Sequence, residues 1–269
     1  MPQIPVSNWQ VDYQEFGDGR LLLLLHASLS GNKQWLPYAK QFCDRYRVIA
    51  PNFFGNGKSS QWPADAQQTL DDQLTLISPL LADCDSVDIV GHSLGGAIAM
   101  QAALRFHDKV QKLVLLEPTH YRLISNYKGG GPYRDIMNMF TVFQAAHDSN
   151  DWQPAAEMVS NFWHGPDAWS EMSKHHRIAV TWRMPPVFHE LQAILSNKTP
   201  IETLAKITAK TLVVRGRTTV PAIMDTFELL QKHIPQWSYQ VIGADGHMFP
   251  VSKPDMTYQV LSTFLDGDG

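Results

Sequence analysis

The stretch Val87-Asp88-Ile89-Val90-Gly91-His92-Ser93-Leu94-Gly95-Gly96-Ala97 constrains this chain more than any other. A β-branched, apolar run enters a Gly-x-Ser-x-Gly turn, and a strong helix-forming segment, 97–104, leaves it at once. Strand therefore passes to helix with almost no loop. A nucleophilic serine sits at such a sharp, strained bend because its hydroxyl must be lifted clear of the sheet. Gly91 and Gly95 flank it because a Cβ there would collide with neighbouring backbone, and Gly96 lets the helix pack close to the sheet. The helix N-terminus then offers free N–H groups and a positive dipole end to an oxyanion. Ser93 is the candidate nucleophile; the plainer reading is a strand–turn–helix corner with a surface serine.

The same alternation runs through most of the chain. Trp9-Gln-Val-Asp-Tyr-Gln-Glu-Phe16 alternates as an early strand, and the continuous leucine run 21–25 suits a strand covered on both faces. A loop from His26, a helix over 33–45, a strand over 47–51 and a helix over 67–82 lead to the Ser93 strand. Lys112-Leu-Val-Leu-Leu-Glu117-Pro118 is the next buried strand. From 119 to 206 strand signal disappears, and the chain becomes helix-like and rich in Trp, Phe, Met and Tyr. Alternation resumes with a strand at 210–216, a helix at 223–233, a strand at 238–243 and a closing helix over 253–265. Repeated strand–helix units predict an α/β fold with a mostly parallel central sheet and helices on both faces. The expected division is a core domain of 1–118 and 207–269 with a helical cap or lid inserted at 119–206.

Composition narrows the partners. Of 269 residues 44% are hydrophobic and 18% charged, as in a globular protein, and the net charge of −4 has no basic cluster to hold nucleic acid. Cys43 and Cys84 lack metal-type spacing and read as reduced thiols. No signal-like N-terminus is present, and 21–25 is too short to span a bilayer. The expectation is a cytoplasmic enzyme, monomer or homodimer, without membrane insertion. His175-His176 and the isolated His189-Glu190 make poor metal motifs, Gly57-Lys58-Ser59 lacks the first glycine of a phosphate loop, and no metal or cofactor is called for.

Three motifs make the chain resemble the α/β-hydrolase superfamily over about 20–117 and 208–265: the Gly91-His-Ser-Leu-Gly95 elbow, the loop Pro51-Asn-Phe-Phe-Gly-Asn-Gly-Lys-Ser59, and Gly246-His247 late in the chain. Asn52 and Ala27 depart from the Asp and Gly usual in the family; the second narrows the oxyanion loop. The resemblance implies the α/β-hydrolase fold and makes His247, after the last predicted strand, the general base. The acid's usual place follows the strand ending near Arg215, but the loop there, Gly216-Arg217-Thr218-Thr219-Val220, has no carboxylate. Glu117 closes the preceding strand, the sixth in the family's order, at the same sheet edge. Some superfamily branches draw their acid from there, so Glu117 is preferred, with Asp225, Asp245 or a Ser–His dyad as alternatives. The oxyanion donors implied are the N–H groups of Leu94 and of Ser28, with Ala27 as second choice. His26 and His92 lie beside the site, and with Trp163 and Met248 they are the provisional pocket residues.

Most cap aromatics and methionines are expected to pack, the rest lining an apolar pocket above Ser93. This favours a small to medium, uncharged ester-type substrate cleaved through an acyl-enzyme, as by a carboxylesterase, thioesterase or lactonase. The alternatives are a C–C bond hydrolase or cofactor-free oxygenase acting on an aromatic substrate, or a ligand-sensing signalling protein on the same scaffold.

Overall fold

The computed structural model describes residues 2–267. Eight strands form one sheet: β1 (Gln3–Val6), β2 (Trp9–Phe16), β3 (Arg20–Leu25), β4 (Tyr46–Pro51), β5 (Val87–His92), β6 (Val110–Leu116), β7 (Lys210–Thr218) and β8 (Ser238–Asp245). Their spatial order is β1-β2-β4-β3-β5-β6-β7-β8. β1 and β2 are antiparallel to their neighbours, and β3 to β8 run parallel. β1 has no sequence signal: it is short, contains Pro5, and lies at the sheet edge, where a missing N–H is tolerated.

The leucine run of β3 explains why the sheet is covered twice. Leu21, Leu23 and Leu25 enter one apolar cluster, and Leu22 and Leu24 enter another on the opposite face. Helices α1 (Leu36–Phe42) and α2 (Leu70–Ile77) precede β5, and α3 (Leu94–Arg105) follows it. The predicted helix over 67–82 is divided. Thr69 and Asp72 form a capping box at the start of α2, and Pro79, lacking an N–H, turns the end into a short 3₁₀ turn, Ser78–Leu81.

Between β6 and β7 the described residues form helices and no strand. They are α4 (Gly131–Ser149), α5 (Gln153–His164), α6 (Ala168–Glu171), α7 (Lys174–Thr181), α8 (Met184–Ser196) and α9 (Ile201–Leu204), preceded by two 3₁₀ turns. Phe143, Phe188 and Ile194 of this segment belong to the same apolar cluster as Leu23 and α3, so these helices share the sheet's core. The remaining helices are α10 (Pro221–His233), α11 (Phe249–Ser252) and α12 (Pro254–Asp266), and α1 and α12 cover the face that carries Leu22 and Leu24.

Register fixes where the chemistry sits. Leu25 lies opposite Gly91, His92 opposite Leu116, and Leu116 opposite Val214. The loops carrying Ser28, Ser93 and Glu117 thus leave the sheet at one level, at the carboxyl ends of parallel strands, where open α/β sheets bind ligands.

Candidate active site

Ser93 follows the last residue of β5 and has φ 56° and ψ −115°, outside the regions an L-residue prefers. Such a conformation costs about 1–3 kcal/mol and persists only when the surroundings impose it. They do so here: Ser93 N–H donates to Leu116 O at 3.0 Å, and Ser93 O accepts from Ala97 N–H at 3.1 Å and Thr119 N–H at 3.3 Å. A Cβ on Gly91 would strike the carbonyl of Gly95, and one on Gly95 would strike the carbonyl of Leu25. Both glycines are therefore fixed by backbone approach, as the sequence led us to expect.

Glu117 occupies a second strained position, with φ 45°, and is fully buried. Its N–H bonds Val214 O at 2.8 Å, which holds the chain against β7. Its carboxylate accepts from three donors. Gly216 N–H reaches Oε1 at 2.8 Å, Thr219 Oγ1–H reaches Oε2 at 2.7 Å, and His247 Nδ1 lies 2.7 Å from Oε2. The bond to Nδ1 leaves Nε2 of His247 as the acceptor nitrogen. The two alternative acids are engaged elsewhere: Asp225 lies 3.3 Å from Lys128 Nζ, and Asp245 bonds Arg217 at 2.6 Å and Thr218 at 2.9 Å.

Ser93 and His247 both line a cavity of about 480 Å³. The Ser93 hydroxyl makes no hydrogen bond among the described residues; in ligand-free enzymes such contacts are often long and tighten when substrate binds. Trp163 stacks on the His247 ring, with centroids 4.0 Å apart and planes 17° from parallel. Met139, Phe143, Val187, Leu191 and Ile194 give the cavity apolar walls, and Met248 also borders it.

His26 and His92 are corrections to the expected pocket. Both are fully buried and neither lines the cavity. His26 Nδ1–H donates to Ala27 O at 2.7 Å while Nε2 accepts from Phe53 N–H at 3.2 Å. Burial pushes its pKa down to about 4, so the ring stays neutral. His92 belongs to a directed chain. Ala27 N–H donates to Gln34 Oε1 at 3.1 Å, Gln34 Nε2 donates to His92 Nδ1 at 3.1 Å, and His92 Nε2–H donates to the His247 carbonyl at 3.0 Å. This chain needs neutral His92, and burial with His247 nearby holds its pKa well below the ordinary value. It also corrects the second-choice oxyanion donor, because the Ala27 N–H is already taken. The Ser28 amide has no partner among the described residues, and Leu94, the first residue of α3, has an amide without an intrahelical acceptor.

Asn52, the departure from the usual Asp, has a local reason. Its Nδ2 donates to Asp12 Oδ2 at 2.9 Å and its Oδ1 accepts from Asn32 N–H at 2.8 Å. A carboxylate in its place would face the Asp12 carboxylate.

Gln34, Thr219 and Arg183 had no motif to announce them. Arg183, at the N-cap of α8, lines the cavity; its N–H bonds Val180 O at 3.0 Å, while its side chain makes no hydrogen bond among the described residues and feels the charge of Glu190. Its guanidinium is accessible but walled by protein, and this desolvation lowers its pKa. A guanidinium with no hydrogen-bonded anion at the wall of an apolar cavity is a place for one.

Comparison with known proteins agrees with this fold. The model of the alpha/beta hydrolase family matches residues 22–260. An uncharacterised protein of Mycobacterium tuberculosis is 36% identical over 139 residues, 51% of this chain but only 37% of that protein, so the match spans little over a third of the relative's length. A 2-hydroxy-6-oxo-6-phenylhexa-2,4-dienoate hydrolase of Burkholderia cepacia is 26% identical over 272 residues, covering 97% of this chain and 92% of its own. Among solved structures, the enol-lactonase from Burkholderia xenovorans superposes with a TM-score of 0.74 at 16% identity over 99% of this chain and 100% of the other, which speaks to fold alone. With a family match over nearly its whole length and the eight-stranded sheet to go with it, the chain belongs to the alpha/beta hydrolase family.

Proposed function

We propose that the chain is a serine hydrolase working through an acyl-enzyme. The observation that carries this reading is the 2.7 Å contact between His247 Nδ1 and Glu117 Oε2, which orients the ring toward the cavity that Ser93 also lines. In this mechanism His247 Nε2 takes the Ser93 proton as Oγ attacks the substrate carbonyl. The N–H groups of Leu94 and Ser28 receive the oxyanion, and His247 protonates the leaving group. Water activated by the same ring then releases the acid and returns the proton to Ser93. Glu117 holds the ring and stabilises the imidazolium.

The substrate fits the cavity: a small to medium molecule with an apolar body and, because the Arg183 side chain in the wall has no hydrogen-bonded anion among the described residues, an anionic group such as a carboxylate. This modifies the uncharged ester expected from composition. Carboxylic esters, thioesters and lactones all suit the chemistry. Arg183 also favours a second reading, hydrolysis of a C–C bond next to a carbonyl in an acid substrate, since the full-length relative is named for a dienoate. Two measurements test the common core. A fluorophosphonate should label wild-type chain at Ser93 and not Ser93→Ala, and that variant should lose p-nitrophenyl ester turnover by several orders of magnitude. Unchanged turnover in Ser93→Ala would remove the serine mechanism.

A further inference from the structure

Tyr121 stands in the cavity wall, and no step of the proposed reaction uses it. It opens a 3₁₀ turn, Tyr121–Ile124, that packs against α4, α8 and α10. Two of those helices, α4 and α8, bring Met139, Phe143, Leu191 and Ile194 to the cavity, and Tyr121 belongs to the same apolar cluster as all four. The residue is accordingly buried, 3% exposed.

Its hydroxyl is at odds with that setting. A buried tyrosine O–H usually finds a hydrogen-bond partner, yet this one has none among the described residues. Burial pushes the phenol pKa up with nothing opposing the rise, so the group stays an O–H donor. Thr119 Oγ1, two residues earlier, is also unpartnered but is sealed inside the protein; the Tyr121 hydroxyl is not among the sealed atoms, and Tyr121 opens on the cavity. Ser160 of α5, another hydroxyl at the wall, is already bonded to Ala156 O at 2.7 Å.

Backbone sets the place of Tyr121 relative to the nucleophile. Glu117 N–H bonds Val214 O at 2.8 Å, Thr119 N–H bonds Ser93 O at 3.3 Å, and Leu123 N–H closes the turn on His120 O at 3.1 Å. Two residues, at most about 7 Å of chain, separate Tyr121 from the amide that touches Ser93. A small molecule held at Ser93 is therefore within its reach. A neutral donor in an apolar wall suits a neutral acceptor, since an anion there would be buried without a countercharge. We propose that the Tyr121 hydroxyl is a specificity determinant: it donates to a keto or hydroxyl oxygen in the otherwise apolar body of the ligand, so that the cavity selects oxo- or hydroxy-substituted molecules over plain alkyl ones. Calling that ligand the substrate rests on the serine-hydrolase reading, whereas the subsite itself is read by binding.

The test is calorimetric binding of heptanoate and of its 4-, 5- and 6-oxo derivatives to wild type and to Tyr121→Phe, with the melting temperature of each protein. The three keto positions sample the spacing between the carboxylate and the added oxygen. For at least one keto acid, Tyr121→Phe should cut the affinity relative to heptanoate by about 3- to 10-fold. Because the hydroxyl has no partner of its own in the protein, Tyr121→Phe should melt no lower than wild type. Unchanged affinity ratios for all three keto acids overturn the proposal, and so does a wild type that binds none of the acids. A melting temperature several degrees lower in Tyr121→Phe, or failure of that variant to fold, overturns it as well, because the hydroxyl would then be holding the fold. Turnover of p-nitrophenyl acetate by the same wild-type sample separates the two readings. No turnover together with a keto preference that depends on Tyr121 removes the hydrolase and keeps the subsite; normal turnover with unchanged ratios removes the subsite alone.

Discussion

Trp163, near the end of α5, lies flat on the imidazole of His247, 4.0 Å from centroid to centroid. The contact joins the helical segment to the loop after β8, and it covers the face of the ring that the proposed mechanism charges. A ring face over a cation is worth about 0.5–2 kcal/mol, depending on desolvation. Trp163→Ala should therefore lower kcat by about 3- to 30-fold and slow fluorophosphonate labelling of Ser93, while Trp163→Phe should recover part of both. Equal rates in wild type and Trp163→Ala would reduce the stack to packing.

Glu117 accepts three hydrogen bonds, and the one to His247 differs in kind from the other two. Glu117→Gln keeps the shape but offers an amide, so the ring loses its charged partner and its tautomer is no longer fixed. The expected loss is about 10³- to 10⁴-fold in kcat. Thr219→Val removes only a hydroxyl that steadies the carboxylate, and a loss of about tenfold is expected. A Glu117→Gln enzyme within tenfold of wild type would point to a Ser–His dyad.

The elbow and the end of β6 could be read from the chain because backbone sterics dictate them. Gly91 and Gly95 have no room for a Cβ, and the absence of any carboxylate in 216–220 directs attention to Glu117. The parallel sheet follows from unbroken apolar runs such as that of β3. Gln34 and Glu190 were not legible, since each meets a partner far away in sequence, and Arg183 sits in no motif. Glu190 meets Asn56 across 134 positions and Gln34 meets His92 across 58, with no short motif linking either pair. The same holds for His26 and His92: their nearness to the site was readable, but not that both rings turn to backbone and amide partners behind the wall.

Arg183 separates the two substrate classes. Arg183 lines the cavity, and its side chain has no hydrogen-bonded anion among the described residues; the Glu190 carboxyl group that acts on it bonds Asn56 instead. A charge-assisted hydrogen bond to a substrate carboxylate contributes about 1.5–3 kcal/mol. Arg183→Met should thus raise KM for the mono-p-nitrophenyl ester of glutaric acid by about 10- to 100-fold and leave that for p-nitrophenyl butyrate within about threefold. Parallel changes for both esters would remove the anionic group from the proposed substrate.

Buried histidines and Glu190 act in opposite directions on stability as pH falls. His26 titrates near 4 when folded and near 6.5 when unfolded, so its contribution is complete above pH 6.5 and is lost as pH falls through 4. His92 and His120 shift in the same direction. Glu190 titrates near 7 when folded against 4.5 unfolded; its contribution is complete below pH 4.5 and is lost as pH rises through 7. Each of His26 and Glu190 corresponds to roughly 3 kcal/mol at its limit. Between pH 6.5 and 4.5 the rising term from Glu190 offsets part of the falling histidine term. Glu190→Gln removes that offset, so its melting temperature should fall more steeply with acidification over this window than that of wild type. Relative to wild type it should also be more stable at pH 8 than at pH 5. Calorimetric melts at four or five pH values decide the matter: parallel curves for the two proteins would mean that Glu190 titrates in the folded chain as an ordinary carboxylic acid.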